Sequence, residues 1–160
     1  PSFRPYWSDD PTGAALGGAV KNGLAIACGI ADGRGLGDNA RAALLTRGFA
    51  EMMRLGLALG ARRETLAGLA GLGDLSLTCN GGQSRNRSFG FALGQGGAAA
   101  ALLASRPQVV EGAYTAAALV ARAQRAGIDM PISQAVDAIV NRGAQIDATI
   151  GALLARPRRA

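Results

Sequence analysis

Leu16-Gly17-Gly18-Ala19-Val20-Lys21-Asn22 opens an apolar run that continues through Ile30, and this stretch holds both the expected central helix and the least usual side chain of the protein. Lys21 is the only lysine among seventeen basic residues; the other sixteen are arginine. Arginine stays protonated at any accessible pH, whereas a lysine withdrawn from water can release its proton and take it back during a reaction. Lys21 is therefore the first candidate for a catalytic acid or base. The bland reading is a lysine that extends its stem along a helix and keeps its charge in water. Gly17 and Gly18 remove side chains one turn earlier, at about 1 kcal/mol of helix propensity each. That cost points to close approach by another backbone or a flat ligand.

The 160 residues make one ordinary domain with a single core. Apolar residues reach 49% while aromatics are 4%, which favours close-packed helices over a β-sandwich, so the expected fold class is all-α. Histidine is absent. Ser-His-Asp hydrolysis is therefore excluded within this chain, the commonest metal ligand is missing, and no metal site is expected. Cys28 and Cys79 are too few for a disulfide framework or a cysteine zinc site; they predict reduced, buried thiols in a cytoplasmic protein. The apolar run ending at Ile30 falls short of the roughly 20 residues a bilayer requires and is broken by Lys21 and Asn22, so no membrane insertion is expected. The net charge of +6 is concentrated in the second half, with nine basic and four acidic residues against eight and seven in the first. Without interleaved aromatics this surplus does not read as a single-stranded nucleic-acid site.

Residues 1–12 read as an extended segment entering the first helix, which spans Gly13 to about Ala31. Asp32 to Asp38 is a glycine-rich turn whose Asp38 can cap the next helix; with no strand before it, a phosphate loop is the weaker reading. Asn39 to Leu59 spaces Leu44, Leu45, Phe49, Met52, Met53, Leu55 and Leu59 as a core-facing helix, with Arg41, Arg47, Glu51 and Arg54 on its other faces. A short helix over Arg62 to Leu69 ends at Gly71 and Gly73. After the polar stretch Leu72 to Arg87 come helices over Ser88 to Leu93, up to Ser105 where Arg106-Pro107 stops the helix, Tyr114 to Ala126, from Pro131 with Ile132, Val136, Ile139 and Val140 on one face, and Ala144 to Leu154. Arg156, Arg158 and Arg159 form a basic tail.

Two groups in the polar stretch invite chemistry. Asp74 stands in an apolar sequence, and a buried carboxylate without a partner is costly, so it should meet a cation; Lys21 is the candidate that would also make a reactive pair. Ser84-Arg85-Asn86-Arg87 precedes a helix start, where free backbone N–H groups and positive potential favour an anion, and an arginine fork strengthens a phosphate site. The competing reading is a capped loop with solvated arginines.

Gly17 to Asn22, Gly35 to Asn39, Leu45 to Glu51, Gly71 to Cys79 and Ser84 to Arg87, taken in that order, resemble NAD(P)-dependent glycerol-3-phosphate dehydrogenase of the bacterial type. The resemblance covers nearly the whole chain. It implies an all-α, multi-helix substrate domain of the 6-phosphogluconate dehydrogenase C-terminal-like type over 13–155, with 1–12 ending an inter-domain segment, 156–160 a tail, and an N-terminal Rossmann domain not present in this chain. It implies an oxidoreductase that interconverts sn-glycerol 3-phosphate and dihydroxyacetone phosphate with NAD or NADP as cofactor and supplies glycerol 3-phosphate for phospholipid synthesis. Lys21 would be the catalytic lysine, with Asp74 beside it; Asn22, Thr78, Ser84, Arg85 and Asn86 would hold substrate, and Arg85, Val109 and Glu111 would reach the cofactor. For Glu111 the plain alternative is an acid at a helix start. The implied partners are the small phosphate substrate, the chain's own Rossmann domain and a second subunit; neither nucleic acid nor membrane is among them. The resemblance leaves two other readings open, the helical domain of another β-hydroxyacid dehydrogenase and a non-catalytic α-helical dimerisation module.

Overall fold

The computed structural model describes residues 4–105 and 108–156; the Arg106-Pro107 stop signal and Arg158 and Arg159 lie outside them. Among the described residues there are helices and no strand. The first, α1, runs Pro11–Gly33. Pro11 is pre-set for the first helical position, and Asp10 caps the helix by accepting the Gly13 N–H at 2.8 Å. Every residue from Asn22 to Ala31 is buried, and all but Asn22 are apolar or small, so this half of α1 must be enclosed by other helices. With 23 residues α1 is longer than its apolar run suggested and long enough to cross a bilayer. Instead other helices pack around it.

The further helices are α2 (Gly37–Ala58), α3 (Arg63–Ala67), α4 (Asp74–Asn80), α5 (Arg85–Gly94), α6 (Ala99–Ala104), α7 (Glu111–Arg125), α8 (Pro131–Arg142) and α9 (Ile146–Leu154), with a π-helical turn over Leu69–Gly73 leading into α4; of these α2, α4, α5, α7 and α8 pack around α1. One core joins Val20, Leu24, Ile26 and Ile30 of α1 to Met52 and Leu55, Leu75 and Cys79, Phe89 and Leu93, and the apolar faces of α7 and α8. Both cysteines are buried and free.

The contact between α1 and α5 is backbone to backbone. A Cβ at Gly29 would collide with the Arg87 carbonyl, and one at Gly90 with the Ile26 carbonyl, so glycine on each helix lets the axes close in. Gly17 does the same for the π-helical turn, since a Cβ there would collide with the Ala70 carbonyl, whereas Gly18 has open space. The approach expected one turn before Lys21 is therefore made at Gly17, by backbone.

Several boundaries differ from the sequence reading. The polar residues after Gly73 are helical, forming α4, within which the Thr78 hydroxyl donates to the Asp74 carbonyl at 2.6 Å. α5 starts at Arg85 rather than Ser88 because Ser84 caps it, its hydroxyl oxygen accepting the Arg87 N–H at 3.2 Å. Asp38 does not cap α2; it lies in its first turn and pairs with Arg41 at 2.6 Å. Glu51 is not on an outer face. It is buried, accepting the Ile132 N–H at 2.6 Å and the Ser133 N–H and hydroxyl at 3.2 and 2.9 Å. It supplies the cap that Met130, at the start of α8, has no side-chain oxygen to provide.

Candidate functional site

The buried half of α1 is apolar with one interruption, at Lys21 and Asn22, and these neighbours face different helices. Lys21 Nζ donates to Asp74 Oδ2 at 2.5 Å, and the two side chains are 23% and 36% exposed. Asp74 is the first residue of α4, delivered by the π-helical turn that rests on Gly17. Thr78, one turn on, hydrogen-bonds both to the Asp74 carbonyl and, at 3.3 Å, to its Oδ1. Its hydroxyl braces the carboxylate rather than pointing outward.

Asn22 faces the other way. Its Nδ2 donates to Glu111 Oε2 at 3.1 Å, and its Oδ1 accepts from Asn86 Nδ2 at 3.0 Å. The Asn86 amide oxygen in turn accepts the Gly112 N–H at 2.9 Å. Two buried amides thus use donor and acceptor together and tie α1, α5 and α7 at one level; a buried amide left half-satisfied would cost far more than the net value of the bonds it makes. Glu111, the first residue of α7, lies 3.8 Å from Arg85. That guanidinium is 50% exposed and sits at the first position of α5.

The residues singled out in the sequence fall into three situations. Lys21 and Asp74 form one polar pair, and Asn22, Asn86, Glu111 and Arg85 form a second linked group; the two meet only at adjacent positions in the polar region of α1. Thr78 and Ser84 border them with hydroxyls engaged in bracing and capping. Val109 is exposed just before α7. Arg87 does not join Arg85 in a fork facing outward; it turns back onto Asp32 of α1, giving 3.1 Å and 2.7 Å bonds from Nε and an outer nitrogen to one carboxylate oxygen. An open cleft of about 470 Å³ borders Asp74, lined by Tyr6, Trp7, Glu64, Thr65, Leu69 and Ala70 among others, and Trp7 is almost fully exposed on its rim.

The described residues thus form a helical domain built around one long enclosed helix with polar groups at its middle. Over 98% of its length it superposes on the crystal structure of glycerol-3-phosphate dehydrogenase from Coxiella burnetii with a TM-score of 0.93 at 48% identity, covering 48% of that chain. The chain belongs to the family described as NAD-dependent glycerol-3-phosphate dehydrogenase C-terminus, which matches residues 10–151. It is 62% identical over 160 residues to the glycerol-3-phosphate dehydrogenase (NAD(P)+) of Erythrobacter litoralis and 59% identical over 158 residues to that of Parvibaculum lavamentivorans, covering 48% and 47% of them. The chain thus spans about half the length of the relatives it matches. Neither the other dehydrogenase family nor the non-catalytic module is favoured by these matches.

Proposed function

We propose that this chain is the substrate-binding half of an NAD(P)-dependent glycerol-3-phosphate dehydrogenase, with Lys21 as its proton-transfer residue. The observation that carries the reading is the 2.5 Å Lys21–Asp74 pair set beside the Asn22–Asn86–Arg85–Glu111 seam. An ammonium has three donors; with one held by Asp74, two remain for a substrate oxygen. As the C2 ketone of dihydroxyacetone phosphate gains electrons, negative charge grows on its oxygen, and the Lys21 ammonium both stabilises that charge and supplies the proton. In the reverse direction the amine takes the proton from the C2 hydroxyl of sn-glycerol 3-phosphate.

Asp74 orients the lysine, and Asn22 and Thr78 complete the wall of the pocket. The phosphate lies against the start of α5, where Arg85, Asn86 and Ser84 hold it and convert its binding into alignment of the C2 carbon. A dinucleotide fits the groups left open: the Arg85 guanidinium has its carboxylate partner, Glu111, only at 3.8 Å, and Val109, two residues before Glu111, is exposed. When bound, NAD(P)H supplies the hydride.

The other contacts to the dinucleotide belong to an N-terminal Rossmann domain, and the exposed Tyr6, Trp7 and Leu69 beside the cleft support a covered face there. Two free, buried thiols suit the cytoplasm, and the product suits phospholipid synthesis. A homodimer is the remaining partner, checked by sedimentation of the whole enzyme.

The deciding experiment is Lys21→Met in the full-length enzyme, which retains the stem and removes the ammonium; kcat falls by about 10²–10⁴-fold, the scale of general acid–base catalysis. A kcat equal to wild type removes Lys21 from the mechanism. The 160-residue chain alone, given NADH or NADPH and dihydroxyacetone phosphate, shows no appreciable turnover; measurable turnover would refute the division of labour between the two halves.

A further inference from the structure

We propose that Arg87 and Asp32 are positioning residues for the anion-holding start of α5. Both stand at the electrostatically wrong end of their own helix: Asp32 in the last turn of α1, where carbonyl ends carry negative potential, and Arg87 in the first turn of α5, where N–H ends carry positive potential. Neither placement serves its own helix. They serve each other, because the Asp32 carboxylate, 10% exposed, takes both bonds from the Arg87 guanidinium across 55 residues of sequence. Charge-assisted bonds of this kind, two from one fork, fix orientation as well as distance.

The clamp acts on the turn that matters. Arg87 follows Arg85 and Asn86 directly, and its own carbonyl is the group seated on Gly29, so side chain and backbone of one residue both fasten the first turn of α5 to α1. Arg85, by contrast, is half exposed with one loose partner. The two arginines have divided tasks, Arg87 holding the turn and Arg85 presented by it. Asp32 has a second partner, Arg41 of α2, at 2.8 Å. Loss of Arg87 therefore leaves no unpaired buried carboxylate, and the fold has reason to survive its removal.

This inference rests on the reading that Arg85 and Asn86 hold the substrate phosphate, and the test separates the two. In the full-length enzyme, Arg87→Ala raises KM for dihydroxyacetone phosphate about tenfold with kcat within about twofold, the pattern of lost uniform binding. Arg87→Lys keeps the charge but not the fork and raises KM by about threefold. Arg41→Ala removes the other partner of the same carboxylate without touching α5 and leaves KM unchanged.

An unchanged KM in Arg87→Ala, or in Arg87→Lys should the alanine variant not fold, overturns the proposal. So does an equal rise in Arg41→Ala, which would reduce the network to general support. Arg85→Ala is the reference: if it raises KM while the Arg87 variants do not, the anion site stands and this proposal alone falls. If Arg85→Ala leaves KM unchanged, the anion site is removed and this proposal with it. Inorganic phosphate gives a readout without turnover, since its protection of the folded enzyme against heating is weakened by Arg87→Ala and not by Arg41→Ala.

Discussion

Replacing Glu51 by alanine tests whether a buried carboxylate holds the start of α8. The side chain accepts three bonds there, from the Ile132 N–H, the Ser133 N–H and the Ser133 hydroxyl, and nothing else in the first turn of α8 caps it. Truncation leaves two buried backbone donors without this acceptor, at about 1–2 kcal/mol each, while the desolvation of a carboxylate is relieved, returning about 1 kcal/mol; the net loss is about 1–3 kcal/mol. With a urea m-value of about 2 kcal/mol/M, the unfolding midpoint of the 160-residue chain drops by about 0.5–1.5 M. Glu51→Gln tests the charge separately. Its carbonyl can still serve Ile132, but its amide nitrogen meets a second donor at Ser133, so a smaller loss of about 1 kcal/mol is expected.

Burial pushes the Glu51 carboxyl above its ordinary value, against the opposing pull of its three donors. The folded state therefore binds this proton more tightly than the unfolded chain. The resulting stabilisation is fully present below the unfolded value of 4.5 and is lost as pH rises through the folded value. Wild type thus gains on Glu51→Gln as pH falls from neutrality toward the unfolded value, and the gap between their urea midpoints widens. A constant or narrowing gap refutes the sign. A loss below about 0.5 kcal/mol in Glu51→Ala, the range of an ordinary surface change, refutes the capping role.

Asp10 carries the opposite sign: the N–H groups of Arg62 and Gly13 hold its carboxyl below the usual value. Its contribution is present above the unfolded value and lost as pH falls through the folded one. Asp10→Asn therefore lowers Tm near neutrality and flattens its decline between about pH 5 and pH 3, and parallel declines would refute this. Gly17→Ala drives a methyl group against the Ala70 carbonyl, at about 1–3 kcal/mol of strain; displacement of Asp74 lowers kcat of the whole enzyme while Gly18→Ala does not, and equal effects would dismiss the close approach. Cys28 and Cys79, both fully buried, give no reaction with an aromatic disulfide reagent in the folded chain and two thiols after unfolding. Rapid native labelling of either would show the core opening between α1 and α4.

The central helix was legible because a long apolar run of small residues has few other uses. The meeting of Lys21 with Asp74 was legible for a chemical reason rather than a spacing one: an acid set among apolar residues requires a cation. Glu51 was misplaced for want of the same argument. It follows Gly48 and precedes Met52 and Leu55, all buried in α2, so it occupies the core-facing stripe, and its charge obscured the position. The Asp32–Arg87 clamp left only an indirect trace, two arginines crowded into a helix start where they oppose the dipole. The π-helical turn before Asp74 left none, because one extra residue in a turn depends on what packs against it, here the bare backbone of Gly17.

The candidate site contains two ion pairs of different tightness, and the difference matches what each would have to do during a reaction. Lys21 and Asp74 lie 2.5 Å apart, Arg85 and Glu111 3.8 Å apart with both side chains half exposed or more. An exposed pair at that separation is worth little, so an incoming phosphate can take the guanidinium from Glu111 at small cost. The tight pair need not open at all, because an ammonium held by one carboxylate oxygen still has two hydrogens to offer. Glu111, released from Arg85, keeps its bond from Asn22 and so is not stranded. A site that binds anion through the loose pair and moves a proton through the tight one separates recognition from chemistry between the partners of two adjacent residues of α1, Lys21 and Asn22. On this reading, variants at Arg85 act first on KM and variants at Lys21 first on kcat.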